Sequence, residues 1–316
     1  MSQPVVIIAA TDPAIGLGHV YRCRALAAAF DGARLIEGVE TLDLAALPPG
    51  ALVILDSLHS GAAPEAVALV RRLKAQGAQV AVIDSMPPDH FPHDAPQEAS
   101  PDWLITPYVG AGRLRPAPQD GAWLAGEAYA ILPQAFAACP AFDPASDRIL
   151  VLCGGADPSG LSARLAGALM DGVHPIDVVV GAHFSSTLVA DLKALARRSR
   201  NLSLHHAPDS VLPLYEGARL VIGRPGLIRY EAAALGRPAL YLAEGDAYLE
   251  YFRAFRQAGY ADIYLSAEAD GEARFWKKIQ EIASGAPGAL PVRPPNGVDL
   301  NGAARLREAL IKRLAA

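Results

Sequence analysis

The chain has 316 residues, about twice the length of a typical domain, so we expect two domains. Its composition, 52% hydrophobic and 19% charged, is that of cored globular domains rather than of disordered segments. The formal net charge of −5, without a long Lys/Arg run, argues against a nucleic-acid-binding surface, because phosphate backbones require a basic stripe.

The three cysteines, Cys23, Cys139 and Cys153, are odd in number and are not spaced as metal ligands. We therefore expect no disulfide framework, no metal site and no cofactor, in a reducing cytoplasm. The apolar run 5–10 is too short for a signal peptide. No stretch reaches the roughly 18 apolar residues that span a bilayer. The expected localisation is cytoplasmic, and a monomer is the expected state.

The first half of the chain alternates short apolar, β-branched runs with longer helical patterns. The pattern predicts strands at 4–9, 52–56, 79–84 and 103–106, and helices at 20–30 and 64–76. Strands that are apolar on both faces and alternate with helices are typical of parallel sheets with right-handed crossovers.

A segment with two prolines and little periodicity, 140–147, predicts an interdomain linker. We expect domains at 1–142 and 143–290, and the sequence leaves open whether a C-terminal helix within 291–316 crosses back to the first. The pattern restarts after the linker, with strands at 148–153, 177–181, 202–205, 220–222 and 239–242, and helices at 161–170, 187–198, 212–217, 229–235 and 248–257. The predicted class is α/β, with two Rossmann-like, doubly wound parallel-sheet lobes facing a central cleft. Ligands bind such sheets outside the carboxyl ends of the strands.

The first candidate site follows the first strand and opens a helix, in the segment TDPAIGLGHVYR that begins at Thr11. Gly16 and Gly18 allow a ligand close to the backbone, and the helix start offers N–H groups to an anion. His19 then lies in the first turn, where the helix dipole disfavours its protonated form and a neutral base is expected. Its alternative is an incidental surface histidine. We count Asp12 and Arg22, from the same segment, among the substrate-binding residues.

A second glycine-rich turn lies between the strand 148–153 and the next helix. Gly154 and Gly155 leave room for a sugar or a diphosphate. Asp157 either contacts the ligand or caps the helix, and the sequence does not separate the two.

A third turn, after the strand 220–222, has the arrangement of a diphosphate site: Gly223, Arg224, Gly226 and Leu227 precede a helix. Arg224 is a candidate for pairing with phosphate. Glu231, inside the helix, is a candidate for accepting both ribose hydroxyls, and the alternative is an ordinary solvated helix residue. No nucleophile elbow and no Walker lysine accompany these turns.

These motifs resemble the UDP-2,4-diacetamido-2,4,6-trideoxy-β-L-altropyranose hydrolases of pseudaminic acid biosynthesis and related spore-coat polysaccharide proteins. The strongest match is IGLGHVYRC at 15–23 followed by ALA at 25–27, close to the family signature I-G-x-G-H-V-x-R-C-x-x-L-A. Further matches, in order along the chain, are 126–132, 153–157, 201–223, 231–238 and 299–303.

The resemblance implies the GT-B architecture that is also seen in MurG-type transferases. It implies that His19 activates water for attack at the anomeric carbon, which expels UDP. It also implies that the turn from Gly223 to Gly226 holds the diphosphate and that Glu231 holds the ribose.

The chain departs from the family pattern at the predicted cleft edges. Asp56 is followed by Ser-Leu instead of His-Tyr, Tyr108 lies where the family has an Asn-rich turn, and Asp246 ends a Gly-Asp pair that replaces Asn-Gln. The diphosphate loop 224–228 loses hydroxyl groups and gains a guanidinium. Asp56, Tyr108 and Asp246 are counted as substrate-binding, although Asp56 has the alternative of capping the next loop. Changes at the cleft edges, with the apolar core pattern retained, indicate altered sugar recognition or altered chemistry.

Three functions follow. The first is a hydrolase that releases UDP from a deoxy-amino sugar with His19 as general base. The second is a GT-B glycosyltransferase, in which the same base deprotonates an acceptor. The third is a non-catalytic protein that binds a nucleotide-sugar. In each case the expected partner is a UDP-sugar, with neither nucleic acid nor membrane span.

Overall fold

The computed structural model describes residues 3–11, 18–58, 62–85, 90–115, 117–118 and 121–314. The chain divides into two units, with bounds Met1–Gln134 plus Asp299–Ala316 for the first and Ala135–Val298 for the second. Among the described helices, none has the continuous apolar length that a membrane-spanning helix requires.

The described residues of the first unit form a six-stranded parallel sheet with helices on both faces. Its strands are β1 (Val5–Ala9), β2 (Arg34–Glu37), β3 (Leu52–Asp56), β4 (Gln79–Ile83), β5 (Trp103–Thr106) and β6 (Ala122–Ala125). Its helices along this part of the chain are α1 (Gly18–Ala27), α2 (Ala63–Ala75) and α3 (Ala111–Leu114). The strand order is β2-β1-β3-β4-β5-β6.

The second unit repeats this plan. Its strands are β7 (Arg148–Leu152), β8 (Ile176–Val180), β9 (Leu202–His206), β10 (Ala218–Gly223), β11 (Ala239–Ala243) and β12 (Asp262–Leu265). Its helices are α4 (Leu161–Leu169), α5 (Ser186–Arg198), α6 (Leu212–Glu216), α7 (Ile228–Ala234), α8 (Leu249–Gln257) and α9 (Gly271–Ala283). The described strands form a parallel sheet in the order β12-β11-β10-β7-β8-β9. The predicted α/β class with two doubly wound parallel sheets is confirmed.

Burial on both faces explains why the central strands are continuous apolar runs. Alternate residues of β3 point to opposite sides, with Leu52 and Ile54 in one core and Val53 and Leu55 in the other. The first core is closed by α1 and by the last helix of the chain, α10 (Gly302–Leu314), which belongs to the first unit. The other core is closed by α2.

Strand order in each sheet sets where a site can form. In the first unit the chain leaves β1 for β2 on one side and then enters β3 on the other, so the connections after β1 and β3 diverge. In the second unit the same reversal separates β7 from β10. A crevice at the carboxyl ends is expected at both reversals.

Three strands and two helices, α3 and α9, lack a sequence counterpart. The strands β2, β6 and β12 are edge strands, and most of their residues are exposed or half-buried. Their sequences therefore lack the continuous apolar run by which the central strands are predicted. The helix α9 was also not predicted, although Phe275, Ile279 and Ile282 are spaced for burial on one face.

The segment after residue 134 belongs to the second unit, whereas the sequence placed the boundary at residue 142. Two contacts account for the difference. The Phe136 ring packs edge-on against the Tyr215 ring, with centroids 5.9 Å apart. The fully buried Arg237 donates to the Pro140 carbonyl oxygen at 2.9 Å. The chain is thus already attached to the second core before its first strand begins.

Candidate functional site

The candidate base of the first unit is His19, which lies one residue after the start of α1. Its Nδ1 is 2.6 Å from Oδ1 of Asp56, the last residue of β3. The His19 side chain keeps 14% exposure, whereas the Asp56 side chain is fully buried. The first turn of a helix and the end of a neighbouring strand therefore place an imidazole against a buried carboxylate.

A second partner holds the Asp56 carboxylate from the other side. Arg22 is three residues after His19 on α1, so both side chains lie on one helix face. Its Nε donates to Asp56 Oδ2 and its Nη2 to Oδ1, each at 2.5 Å. Burial by itself raises the pKa of Asp56, but the charges of Arg22 and His19 hold that pKa well below its ordinary value. Asp56 is therefore ionised across the physiological range.

An ionised Asp56 also determines the tautomer of His19. A carboxylate only accepts hydrogen bonds, so Nδ1 carries the proton and donates it to Asp56. In neutral His19 the lone pair is then on Nε2. This tautomer follows from the hydrogen bond and is the one that a general base requires.

Tyr108 extends this network into the core. Its hydroxyl accepts a hydrogen bond from Arg22 Nη1 at 2.9 Å and donates to the Asp84 carbonyl oxygen at 3.0 Å. The Asp84 carboxylate forms a fully buried ion pair with Arg115 and accepts from the Phe91 N–H at 2.7 Å. Burial raises the pKa of Asp84 even though Arg115 opposes that effect. The chain of contacts anchors Arg22 to the carboxyl end of β4.

Four predicted residues of the first unit thus lie in one network: His19, Arg22, Asp56 and Tyr108. Gly18 is the first residue of α1 and is half-buried. Asp12 and Gly16 lie outside the described residues.

A pocket of about 500 Å³ opens in the first unit beside Ser57, the residue after Asp56. Its lining is mixed: Val39 and Leu69 are among the apolar residues, and the polar or charged residues are Thr11, Glu40, Ser57, Glu65 and Arg72.

In the second unit, the turn after β7 is shaped by glycines and by a helix cap. Gly154 is exposed and has φ 82°, which favours glycine. Asp157 is buried, and its carboxylate accepts from the N–H groups of Leu161 and Ser162 at 3.1 and 2.9 Å. Of the two roles left open for Asp157, the structure shows the cap. Gly155, which follows Gly154, is half-buried, and its carbonyl oxygen lies close to Gly181 after β8.

The last residue of β10, Gly223, approaches β7 very closely. A Cβ on Gly223 would lie 1.7 Å from the Leu152 carbonyl oxygen, so only glycine fits there. Arg224 follows, half-buried, with a third of its side chain (34%) exposed. Gly226 is exposed and Leu227 is half-buried at the start of α7. A Cβ on Gly226 would meet nothing within 4 Å. Of the two glycines, only Gly223 is required by packing.

Glu231 is buried inside α7 and is not a solvated helix residue. Its Oε2 accepts a hydrogen bond from the Tyr215 hydroxyl at 2.9 Å. Burial raises the pKa of Glu231 to about 7, and the Tyr215 hydrogen bond opposes the rise. The ribose contact stays a prediction.

Sequence patterns did not single out three polar residues beside Arg224. Ser159 Oγ donates to Glu244 Oε2 at 2.5 Å, and Arg164 Nη1 donates to Glu244 Oε1 at 3.3 Å. Glu244 directly follows β11, and a polar residue after a buried parallel strand was a usable signal. The predicted Asp246 is exposed two residues later.

Within the described ranges, no three His, Cys, Asp or Glu side chains are grouped so as to hold a metal ion.

No protein-family model matches the chain. No curated protein matches it by sequence either.

Solved structures, in contrast, match it over nearly its whole length. A UDP-N-acetylglucosamine 2-epimerase from Listeria monocytogenes, given as putative in its description, has a TM-score of 0.62 at 14% identity, covering 99% of this chain and 97% of that one. MnaA from S. aureus, in a co-structure with UDP, has a TM-score of 0.57 at 11% identity, covering 99% and 97%. MurG from Acinetobacter baumannii has a TM-score of 0.53 at 16% identity, covering 98% and 99%. Together with the two parallel sheets, these similarities identify the fold of this chain as GT-B.

Proposed function

We propose that the chain is an enzyme that hydrolyses a UDP-linked deoxy-amino sugar, with His19 as general base. The observation that carries the proposal is the 2.6 Å contact between His19 Nδ1 and the buried Asp56 carboxylate. A buried carboxylate that orients an imidazole is a recurrent device for acid–base catalysis.

In the proposed reaction, His19 Nε2 takes a proton from a water molecule. The water oxygen attacks the anomeric carbon, the bond from that carbon to the diphosphate oxygen breaks, and UDP leaves with the electron pair. Asp56 remains ionised, because Arg22 holds its pKa well below the ordinary value, and it stabilises the imidazolium that forms. Arg22 fixes Asp56 directly, and Tyr108 fixes it through Arg22.

The second unit would bind the nucleotide. The exposed backbone at Gly154 and Gly226 leaves room for a diphosphate, and Arg224 supplies positive charge at the same edge of the sheet. Glu231 is proposed for the ribose, from whose two hydroxyls its carboxylate can accept hydrogen bonds while Oε2 keeps the hydrogen bond from Tyr215. The names of the similar structures, a UDP-N-acetylglucosamine 2-epimerase and a UDP complex, support a UDP-sugar ligand.

One observation favours a second candidate function, transfer of the sugar to an acceptor. A solved structure similar to this chain, described as the spinosyn forosaminyltransferase SpnP, has a TM-score of 0.53 at 13% identity, covering 98% of this chain and 100% of that one. In a transferase, His19 would take the proton from an acceptor hydroxyl instead of from water.

The test is release of UDP from a panel of UDP-sugars, including 2,4-diacetamido-2,4,6-trideoxy sugars, in water alone. His19→Ala should lower turnover by about 10²–10⁴-fold and leave UDP affinity within roughly twofold. His93→Ala, which removes an exposed histidine of the same unit, should leave turnover unchanged.

Each other outcome selects a different function. UDP release that requires an added acceptor would indicate a transferase. Tight UDP binding without turnover of any sugar would indicate a non-catalytic binder. Unchanged turnover in His19→Ala would show that His19 is not the base.

A further inference from the structure

The Glu244 carboxylate attracts three donors from two separate connections of the second unit. Ser159 Oγ donates to Oε2 at 2.5 Å and Arg164 Nη1 donates to Oε1 at 3.3 Å. Arg224 Nε lies 3.8 Å from Oε2. Two guanidinium groups and a hydroxyl therefore converge on a single carboxylate.

Strand order explains the convergence. Ser159 and Arg164 follow β7, Arg224 follows β10, and Glu244 follows β11, while β10 lies between β7 and β11 in the sheet. All four side chains therefore gather at one carboxyl edge. They are also reachable from solvent: Arg164 is 40% exposed, Arg224 34% and Glu244 21%.

Donors of this kind are those that recognise phosphate. Guanidinium groups bind phosphate oxygens through charge-assisted hydrogen bonds, and hydroxyl donors complete such sites. Here the anion that they surround belongs to the protein itself. Among the described residues, Glu244 is the only carboxylate within 4.0 Å of the Arg224 guanidinium.

Arg164 would stay in place if Glu244 moved. A second carboxylate, Glu272, also pairs with its guanidinium, and Cζ lies 4.7 Å from the centroid of the Trp276 ring. Trp276 Nε1 in turn donates to Glu272 at 3.1 Å. These contacts hold the guanidinium at this edge independently of Glu244.

We propose that Glu244 is a built-in counter-ion that the substrate's diphosphate displaces, so that Ser159 and Arg164 join Arg224 in binding the phosphate oxygens. This inference rests on the proposed function, because it needs a diphosphate at this edge. The carboxylate competes with the ligand for the same donors. It therefore lowers affinity for every diphosphate and leaves a nucleoside without phosphate unaffected.

Glu244→Gln removes the competing charge and keeps the side-chain size. Isothermal titration should show UDP and pyrophosphate binding about 3- to 30-fold more tightly than to the wild type, since the carboxylate's exposed contacts are each individually weak. Uridine affinity should not change. Glu250→Gln is the matched control, because it removes the same charge from an exposed ion pair with Arg253 in the same unit.

Arg164→Gln tests the inference from the donor side. It should weaken UDP and pyrophosphate binding about 3- to 10-fold, and combined with Glu244→Gln it should cancel part of the gain. Thermal unfolding of each variant confirms that it is folded. Unchanged or weaker binding of UDP and pyrophosphate by Glu244→Gln would overturn the inference, as would an equal gain for uridine or no effect of Arg164→Gln.

The two proposals fail differently. If the wild type releases UDP from a sugar but Glu244→Gln gains no affinity, only the counter-ion role is wrong. If no UDP-sugar is bound or hydrolysed but pyrophosphate binding still tightens in Glu244→Gln, the counter-ion role stands and the proposed reaction is wrong.

Discussion

His19 Nδ1 and Asp56 Oδ1 are 2.6 Å apart, and the same Asp56 carboxylate receives two hydrogen bonds from Arg22. The buried Asp56 carboxylate thus accepts hydrogen bonds from the titratable His19 ring and from the permanently charged Arg22 at the same time. Asp56 holds the tautomer of His19, and Arg22 keeps Asp56 charged, so a change at either partner should be measurable in both catalysis and stability.

Asp56→Asn keeps the size of the side chain and removes its charge. We expect turnover to fall by about 10²–10⁴-fold, because an amide can present a donor to Nδ1 and favour the wrong tautomer. The free energy of unfolding at pH 7 should fall by about 3–5 kcal/mol, since Arg22 loses its buried counter-ion. UDP release and urea denaturation measure the two effects. Asp31→Asn, at an exposed site, is the control; near-wild-type turnover in Asp56→Asn would contradict the role of Asp56.

Tyr108→Phe removes the hydroxyl that accepts from Arg22 and donates to the Asp84 carbonyl. Two buried hydrogen bonds are lost, so the free energy of unfolding should fall by about 1–3 kcal/mol. Turnover should fall much less than in Asp56→Asn, because the two hydrogen bonds from Arg22 to Asp56 remain. Tyr129→Phe, at a half-buried tyrosine of the same unit, provides the comparison. A Tyr108→Phe variant as slow as Asp56→Asn would show that Tyr108 acts on the substrate directly.

Glu231 should make stability depend on pH. Its pKa is raised from 4.5 to about 7 in the folded protein, so the folded state binds a proton that the unfolded state releases. That contribution is complete below pH 4.5 and is lost as the pH rises through 7. Relative to Glu231→Gln, the wild type should therefore lose about 3 kcal/mol of unfolding free energy over this interval.

Urea denaturation of the wild type and Glu231→Gln at a series of pH values between 4.5 and 8 measures this difference. Other titrating groups cancel in the comparison. Glu216→Gln, at an exposed position, should show a constant offset from the wild type. A constant offset for Glu231→Gln as well would mean that the Glu231 pKa is not raised.

Gly223→Ala should be strongly destabilising, because the added Cβ would lie 1.7 Å from the Leu152 carbonyl oxygen. The backbone of β7 or β10 must shift to accommodate it, at a cost of about 1–3 kcal/mol or more. Gly226→Ala, three residues on, adds a Cβ with nothing within 4 Å and should change stability by less than about 0.5 kcal/mol. Thermal unfolding of the pair is the measurement, and equal melting temperatures would contradict the close approach.

The hydrophobic pattern of a single segment was enough to predict those strands whose burial is visible in that segment alone. The runs at β1, β3 and β4 are apolar on both faces, which indicates central parallel strands. The edge strands β2 and β12 lack that pattern, because in the sheets formed by the described strands each has a neighbour on one side only and is partly exposed.

The site residues also divide into those that a single segment predicts and those whose role depends on distant parts of the chain. His19, Asp56 and Arg224 were predicted from their places beside strand ends and helix starts. The role of Asp157 was left open between a ligand contact and a cap, and the folded backbone shows a buried cap. Glu244 was not predicted: its place after β11 was a usable signal, but its partners Ser159 and Arg164 are about 80 residues away along the chain.

The sequence by itself determined the alternation of strands and helices, the two-sheet plan and the position of His19 at a helix start. These follow from side-chain periodicity and from turn residues, which act over a few neighbours. Only the tertiary structure decided that Asp56 pairs with the His19 imidazole instead of capping the next loop. It also decided that the Glu244 carboxylate accepts hydrogen bonds from the donors beside Arg224. Both depend on the order of strands in a sheet, which brings together residues that are distant in the chain and sets the charge that each one faces.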